Sequence, residues 1–169
     1  MEKLTKKQSE LLQQLQSDNN IVATDAVNML REHGGDFAII PLMEKYFNNN
    51  SEDLKKCIEQ LFSDLKSSNV ANIISENILK YENEEQLSKF IEKLWSSSLS
   101  FTNLLPFVEL LFNKNIMIAI ESSTLIEENI HLLSTENKAQ CLSVINYKLE
   151  KIKDEFHKNI VLSIEELLK

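Results

Sequence analysis

The chain has 169 residues and a formal net charge of −8, and it contains only two glycines and two prolines. This length suits one domain with a substantial apolar core. β-Folds place glycine and proline in their turns, and nucleotide-binding loops require several glycines. The composition therefore disfavours β-folds, excludes a glycine-rich nucleotide loop and favours an all-α fold.

Clusters of asparagine, serine and aspartate divide the chain into segments that have the length of helices. Within these segments apolar residues recur every three or four positions, which is typical of a helix with one buried face. The sequence predicts ten helices, at residues 3–17, 21–33, 36–48, 51–66, 69–80, 84–96, 101–113, 115–129, 135–152 and 154–168. We expect N-caps at Thr5, Asp36, Ser51, Ser100 and Ser134 or Thr135.

An internal repeat relates residues 40–50 to residues 105–115 at an offset of 65 residues. The alignment places Pro41 on Pro106, and it also matches a glutamate, a phenylalanine and two asparagines. Since proline inside a helix removes a hydrogen bond, we expect two equivalent kinks. The offset indicates two units of about 31–34 residues, each a helical hairpin that buries its apolar face by stacking on its neighbours.

One segment has a proline-containing first helix, a short polar turn and a second helix with a small residue and leucine. These features lie at Ala26, Leu30, Gly34, Ile40-Pro41-Leu42, Phe47, Asn49-Asn50, Leu54, Cys57 and Leu61. The pattern resembles that of the HEAT-repeat (armadillo-like) family. The resemblance implies a right-handed α-solenoid of about five antiparallel hairpins, with residues 1–169 as a single domain. An irregular helical bundle is the alternative.

The resemblance also implies roles for particular positions. The family often has an aspartate in the turn within a repeat and an arginine early in the second helix. Asn49 or Asn50 and Lys55 or Lys56 stand near those places. The family's second helices line the concave side of the solenoid, so we expect any partner to bind there.

The sequence offers weak candidates for chemistry. His33, His131 and His157 have no carboxylates at the spacing of metal ligands. Cys57 and Cys141 lie on apolar helix faces, where free cysteine behaves as a small hydrophobe. Adjacent glutamates on a helix do not face each other. We therefore expect no catalytic residue, no metal site and no cofactor, and predict that the protein is not an enzyme.

Nucleic acid and membrane are disfavoured as partners. The chain has a single arginine, Arg31, whereas a phosphate-binding surface needs clustered basic residues. Its most apolar stretch, residues 104–120, contains charged and amide side chains and does not suit a membrane span. No secretory signal is visible, and two cysteines form no disulfide framework, so a cytoplasmic location is expected.

Acidic residues are concentrated in the middle of the chain, since residues 76–136 hold 10 acidic and 4 basic side chains. The candidate partner-binding residues are Glu85, Glu92, Trp95, Glu121 and Glu128. In the predicted helices 84–96 and 115–129 these glutamates point away from the core, and Trp95 ends the first of the two. A plain solubilising face explains the acids equally well.

These observations predict a non-catalytic scaffold that binds a basic protein or peptide through an acidic concave surface. Two alternatives remain. One is a nucleic-acid-processing enzyme similar to the HEAT-type DNA glycosylases, which need a basic channel. The other is a structural homo-oligomer.

Overall fold

The computed structural model describes residues 4–33 and 35–169, and these residues form helices and connecting turns with no strand. Ten α-helices lie in the described residues: α1 (Lys6–Leu15), α2 (Asn20–His33), α3 (Ile39–Asn48), α4 (Glu52–Asp64), α5 (Ser68–Asn77), α6 (Leu87–Trp95), α7 (Leu105–Leu110), α8 (Ile116–Asn129), α9 (Thr135–Lys148) and α10 (Glu155–Leu168). Short 3₁₀ helices lie at Asp36–Ala38, Ile78–Tyr81, Ile130–Leu132 and Leu149–Lys151. The all-α prediction is confirmed. Gly34, part of the HEAT-like pattern, lies outside the described residues.

Three predicted N-caps are confirmed. Thr5 and Gln8 form a capping box, with hydrogen bonds of 3.2 and 2.8 Å, before α1. The Ser51 hydroxyl accepts from the Leu54 amide before α4, and Ser134 caps α9 in the same way. These hydroxyls satisfy amides that have no partner within the helix.

Two predicted caps are wrong. Asp36 begins a 3₁₀ helix and accepts a hydrogen bond from Asn69. Ser100 precedes an irregular stretch, because the amide of buried Phe101 donates to the Asn129 side chain, 2.9 Å away. As a result, the predicted helix 101–113 shortens to α7, and Leu104 takes the N-cap position.

Both prolines lie in the first turn of a helix and not at the mid-helix positions where kinks were expected. Pro41 is the third residue of α3, and Pro106 is the second residue of α7. The first four amides of a helix lack intrahelical acceptors, so a missing N–H costs little there. Both prolines therefore mark the beginning of the first helix of a pair.

Helix packing follows the order of the chain. The odd-numbered helices contact one another in sequence from α1 to α9, and the even-numbered helices do so from α2 to α10. Within pairs, α1 packs on α2, α3 on α4, α7 on α8 and α9 on α10. The buried apolar side chains form one connected core.

Aromatic rings join three helices near the middle of this core. Phe90 of α6 contacts Tyr46 of α3 and Phe62 of α4, with ring centroids 5.1 and 5.0 Å apart. All three side chains are fully buried. Burial of one such ring contributes about 1.5–3 kcal/mol, so this cluster fixes how α3, α4 and α6 meet.

Two asparagines perform the same task in two turns. Asn49 accepts from the Ser51 amide (2.6 Å) and donates to Asn20 of the preceding hairpin (3.1 Å). Asn113 accepts from the Asn115 amide (2.8 Å) and donates to the Glu82 carbonyl (2.7 Å). Each lies two residues before the N-cap of the following helix, α4 or α8. The same hydrogen-bonding arrangement therefore occurs in both turns at an offset of 64 residues, one less than the offset of the sequence alignment, which pairs Asn113 with Asn48.

Candidate functional site

Two of the predicted site residues meet where α6 packs on α8. The indole Nε1 of Trp95 donates to Oε2 of Glu121 at 2.8 Å. Both side chains are half-buried, and Trp95 also packs against the apolar core. A half-buried indole N–H needs an acceptor, and the glutamate supplies it. The hydrogen bond therefore fixes the orientation of the Trp95 ring, and its indole N–H is not available to a partner.

Glu92 joins this pair because it lies three residues before Trp95 on α6, on the same side of the helix. Its carboxylate accepts from Lys93 at 3.1 Å, and Glu92 is half-buried like Glu121. Glu92 and Trp95 therefore lie on one side of α6, and Trp95 contacts Glu121 of α8.

The other two predicted residues lie at the margins. Glu85 is exposed and precedes the first residue of α6, so its expected position within that helix is wrong; residues 84–86 form a turn. Glu128 is exposed on α8, seven residues after Glu121. Seven residues are nearly two helical turns, or about 10 Å along the axis, so Glu128 faces the same side at a distance.

The structure adds Glu59 of α4, which the sequence analysis missed. The buried Tyr46 hydroxyl donates to Oε1 of Glu59 at 2.8 Å. Burial raises the pKa of Tyr46 well above its usual value, and the hydrogen bond to Glu59 and the charges of Glu59, Glu52 and Glu92 raise it further. The charge of Glu92 on α6 therefore acts on the same tyrosine hydroxyl that Glu59 contacts directly.

Glu59, Glu92 and Glu121 form what we call the glutamate row. They lie on α4, α6 and α8, which pack on one another in that order, and all three are half-buried. Their separations are 33 and 29 residues, close to the hairpin period. That periodicity is the sequence signal that could have revealed Glu59.

Charge along the row is unevenly balanced. Buried Lys55 lies 3.6 Å from Glu52 on α4, and Lys93 accompanies Glu92 on α6. The 14 residues of α8 contain no lysine or arginine. Among the described residues, each carboxylate of the row accepts one side-chain hydrogen bond, from Tyr46, Lys93 or Trp95, and retains lone pairs for another cation. Lysines therefore accompany the acids on α4 and α6, whereas α8 contributes none beside Glu121 and Glu128.

The cysteines are poorly suited to nucleophilic chemistry. Burial raises the pKa of the Cys141 thiol to about 11. Burial also raises the pKa of Cys57, although the charge of Arg31 lowers it in part, and the Cys57 thiol donates to Asn28. A nucleophilic cysteine needs a lowered pKa, so these thiols stay protonated near neutral pH.

His131 and His157 lie in different elements of the structure. His157 Nε2 contacts the Leu111 carbonyl, and His131 is exposed in a 3₁₀ helix. The side chain of His33 lies outside the described parts of the structure. In residues 4–33 and 35–169, no three histidine, cysteine or acidic side chains are grouped as a metal would require.

Comparison of the chain with protein-family models, with curated proteins and with solved structures finds no match. The resemblance to the HEAT-repeat family therefore stays a prediction. No helix in the described part of the chain combines the length and apolar character needed to span a bilayer.

Proposed function

We propose that this protein is a non-catalytic scaffold of the HEAT-repeat type, a right-handed α-solenoid of five hairpins. The ordered packing of odd on odd and even on even helices supports this architecture. So does the spacing of hydrogen bonds, since most side-chain bonds between helices join residues 26 to 35 positions apart. Asn49 then corresponds to the family's turn aspartate.

The glutamate row is the observation that carries the functional proposal. It presents one half-buried carboxylate on each of three successive helices of the even series. Packed helices lie about 8–10 Å apart. A peptide in the polyproline II conformation makes one turn every three residues and rises about 9 Å in doing so, which places every third side chain on the same face. The partner is therefore a protein segment with lysine or arginine at every third position, bound across α4, α6 and α8, with Glu85 and Glu128 at the margins.

The carboxylates around Trp95 disfavour the alternative that the protein is a nucleic-acid-processing enzyme. A nucleic-acid enzyme would need a basic channel around Trp95. The tryptophan instead lies beside Glu92 and Glu121, whose carboxylates repel phosphate. The raised thiol pKa values also provide no nucleophile near this surface.

A homo-oligomer is a second candidate, supported by apolar side chains exposed on α9 and α10. Tyr147 is 73% exposed, Phe156 62% and Leu167 49%. Light scattering over a wide concentration range tests self-association, and Phe156→Ser should abolish it. A constant monomer mass at all concentrations removes this candidate.

The scaffold proposal is tested with two synthetic peptides of identical composition. One carries lysine at every third position of a serine- and threonine-rich sequence, and the other has its lysines clustered at one end. We expect the periodic peptide to bind at least tenfold more tightly by calorimetry, with an affinity that falls as salt rises. Equal binding of both peptides would reject the periodic site.

A matched pair of variants locates the site. The triple change Glu59→Gln, Glu92→Gln and Glu121→Gln keeps acceptor oxygens for Tyr46 and Trp95 while removing three charges. The control, Glu76→Gln, Glu136→Gln and Glu150→Gln, removes three exposed charges elsewhere. We expect only the first variant to lose binding, by about tenfold or more. Equal loss in both variants would show a nonspecific effect of net charge.

A further inference from the structure

A cavity of about 510 Å³ lies away from the glutamate row, between the turn that follows α7 and the turn that precedes α10. Small-molecule sites in proteins commonly have volumes of about 300–1,000 Å³, so this cavity has the size of a ligand site. It is formed by two neighbouring helical pairs, α7–α8 and α9–α10.

The walls of the cavity are strongly basic. Four of the chain's 18 basic residues line it, namely Lys114, Lys148, Lys151 and Lys153. The lining contains a single acid, Asp154. This concentration of positive charge occurs in a protein whose net charge is −8. Such a cleft attracts anions even when the whole molecule is negative.

Several of the polar groups are already committed. Asp154 caps α10 by accepting from the His157 amide at 2.7 Å. Lys148 pairs with Glu109, and Lys151 lies over the Tyr147 ring at 4.2 Å. Within the described residues, neither Lys114 nor Lys153 pairs with a carboxylate. Both are exposed, so their ammonium groups are available to a ligand.

Part of the remaining wall of the cavity is apolar, which favours a ligand that has an organic part as well as negative charge. Phe112 and Ile152 line the cavity, and Lys148 Nζ lies 5.4 Å from the Phe112 ring centroid. α10 begins at the cavity, but the Asp154 carboxylate caps it and Glu155 lies in its first turn, so the positive charge of the site comes from the lysines. The site thus offers ammonium groups and an aromatic side chain together.

We propose that this cavity binds a small phosphate-bearing anion with two or more negative charges, placing the phosphates near Lys114 and Lys153. Phe112 contacts the organic part of the ligand when there is one. This site is independent of the peptide surface formed by the glutamate row, so either proposal can fail while the other stands.

The test uses metal-free inorganic tripolyphosphate, ATP and adenosine as probes, with the full chain in a calorimeter at low and at physiological salt. We expect tripolyphosphate and ATP to bind and adenosine not to bind. Tighter binding of ATP than of tripolyphosphate indicates a nucleotide-like ligand, and the reverse order indicates an inorganic polyphosphate. Absence of binding by both phosphate probes at millimolar concentration overturns the proposal.

Variants localise the binding. Lys114→Gln with Lys153→Gln should weaken tripolyphosphate binding at least tenfold, whereas the matched control Lys56→Gln with Lys89→Gln should leave it unchanged. Phe112→Leu should weaken ATP binding and spare tripolyphosphate. Equal loss in the two lysine variants would mean diffuse attraction and overturn the site. Sedimentation velocity measures whether tripolyphosphate dissociates an oligomer. If it does, the cavity binds an acidic surface of a second copy of the chain, and the small-anion proposal is overturned.

Discussion

The Trp95 indole donates a 2.8 Å hydrogen bond to Glu121 across the α6–α8 interface. Since both groups are half-buried, neither can exchange this bond for water without cost. The bond joins α6 to α8, and it fixes the position of one carboxylate of the glutamate row.

Trp95→Phe should therefore lower the free energy of unfolding by about 1–2 kcal/mol, because it leaves Glu121 without its donor. Urea denaturation followed by circular dichroism measures this change, as the variant removes the chain's single tryptophan. The control is the same substitution in a Glu121→Gln background, where the loss should be smaller. Strictly additive effects would show that the two side chains are not coupled.

Tyr46 should make the protein sensitive to alkaline pH. Because the pKa of Tyr46 is raised in the folded state from the usual 10.0, the unfolded chain releases this proton first. Its contribution to stability is therefore complete below pH 10 and is lost as pH rises above that value, by up to about 1.4 kcal/mol per pH unit.

Urea titrations at pH 9 and pH 11 measure this effect. Tyr46→Phe should reduce the difference in stability between the two conditions, since phenylalanine does not titrate. Tyr147→Phe is the matched control because Tyr147 is 73% exposed, and it should behave like the wild type. An unchanged pH dependence in Tyr46→Phe would contradict the assignment.

The two thiols should differ in reactivity. Cys141 is buried and its pKa is raised to about 11, whereas Cys57 is half-buried. With iodoacetamide at pH 8, we expect Cys57 to be alkylated well before Cys141, as measured by peptide mass spectrometry. In concentrated urea the two should react at similar rates. Faster labelling of Cys141 in the folded protein would show that its helix opens readily.

The repeated turn gives a fourth prediction. Asn49→Ala and Asn113→Ala should each cost about 1 kcal/mol of unfolding free energy, because each removes an amide cap and a bond to the preceding hairpin. The double variant should show the sum, since the two turns are far apart in the chain. Exposed Asn50 serves as the control, and Asn50→Ala should have no measurable effect. Effects confined to one of the two asparagines would argue against an equivalent role.

Helix content was predictable because it depends on local patterns. The spacing of apolar residues, the composition of the turns and the capping residues predicted all ten helices. The predicted ends differ from the observed ends by up to a few residues. The exceptions have tertiary causes. Phe101 is buried and uses Asn129 as its acceptor, which prevents the helix that the sequence predicts from residue 101.

The candidate site was predictable only in part. The acidic face of α6 and α8 followed from the helical pattern, but the contact between Trp95 and Glu121 depends on how two helices align, and no local signal fixes that. Glu59 could not be predicted because its position depends on a hydrogen bond from Tyr46 of the preceding helix, and no local pattern indicates that bond.

The hydrogen bonds between helices reach mostly to residues about one hairpin away. Each helical pair is then stabilised mainly by the pairs next to it, and the free energy of unfolding is close to a sum over pairs and their interfaces. When the chain is pulled from its two ends, we therefore expect it to extend in steps of one helical pair, which force spectroscopy would resolve as separate events.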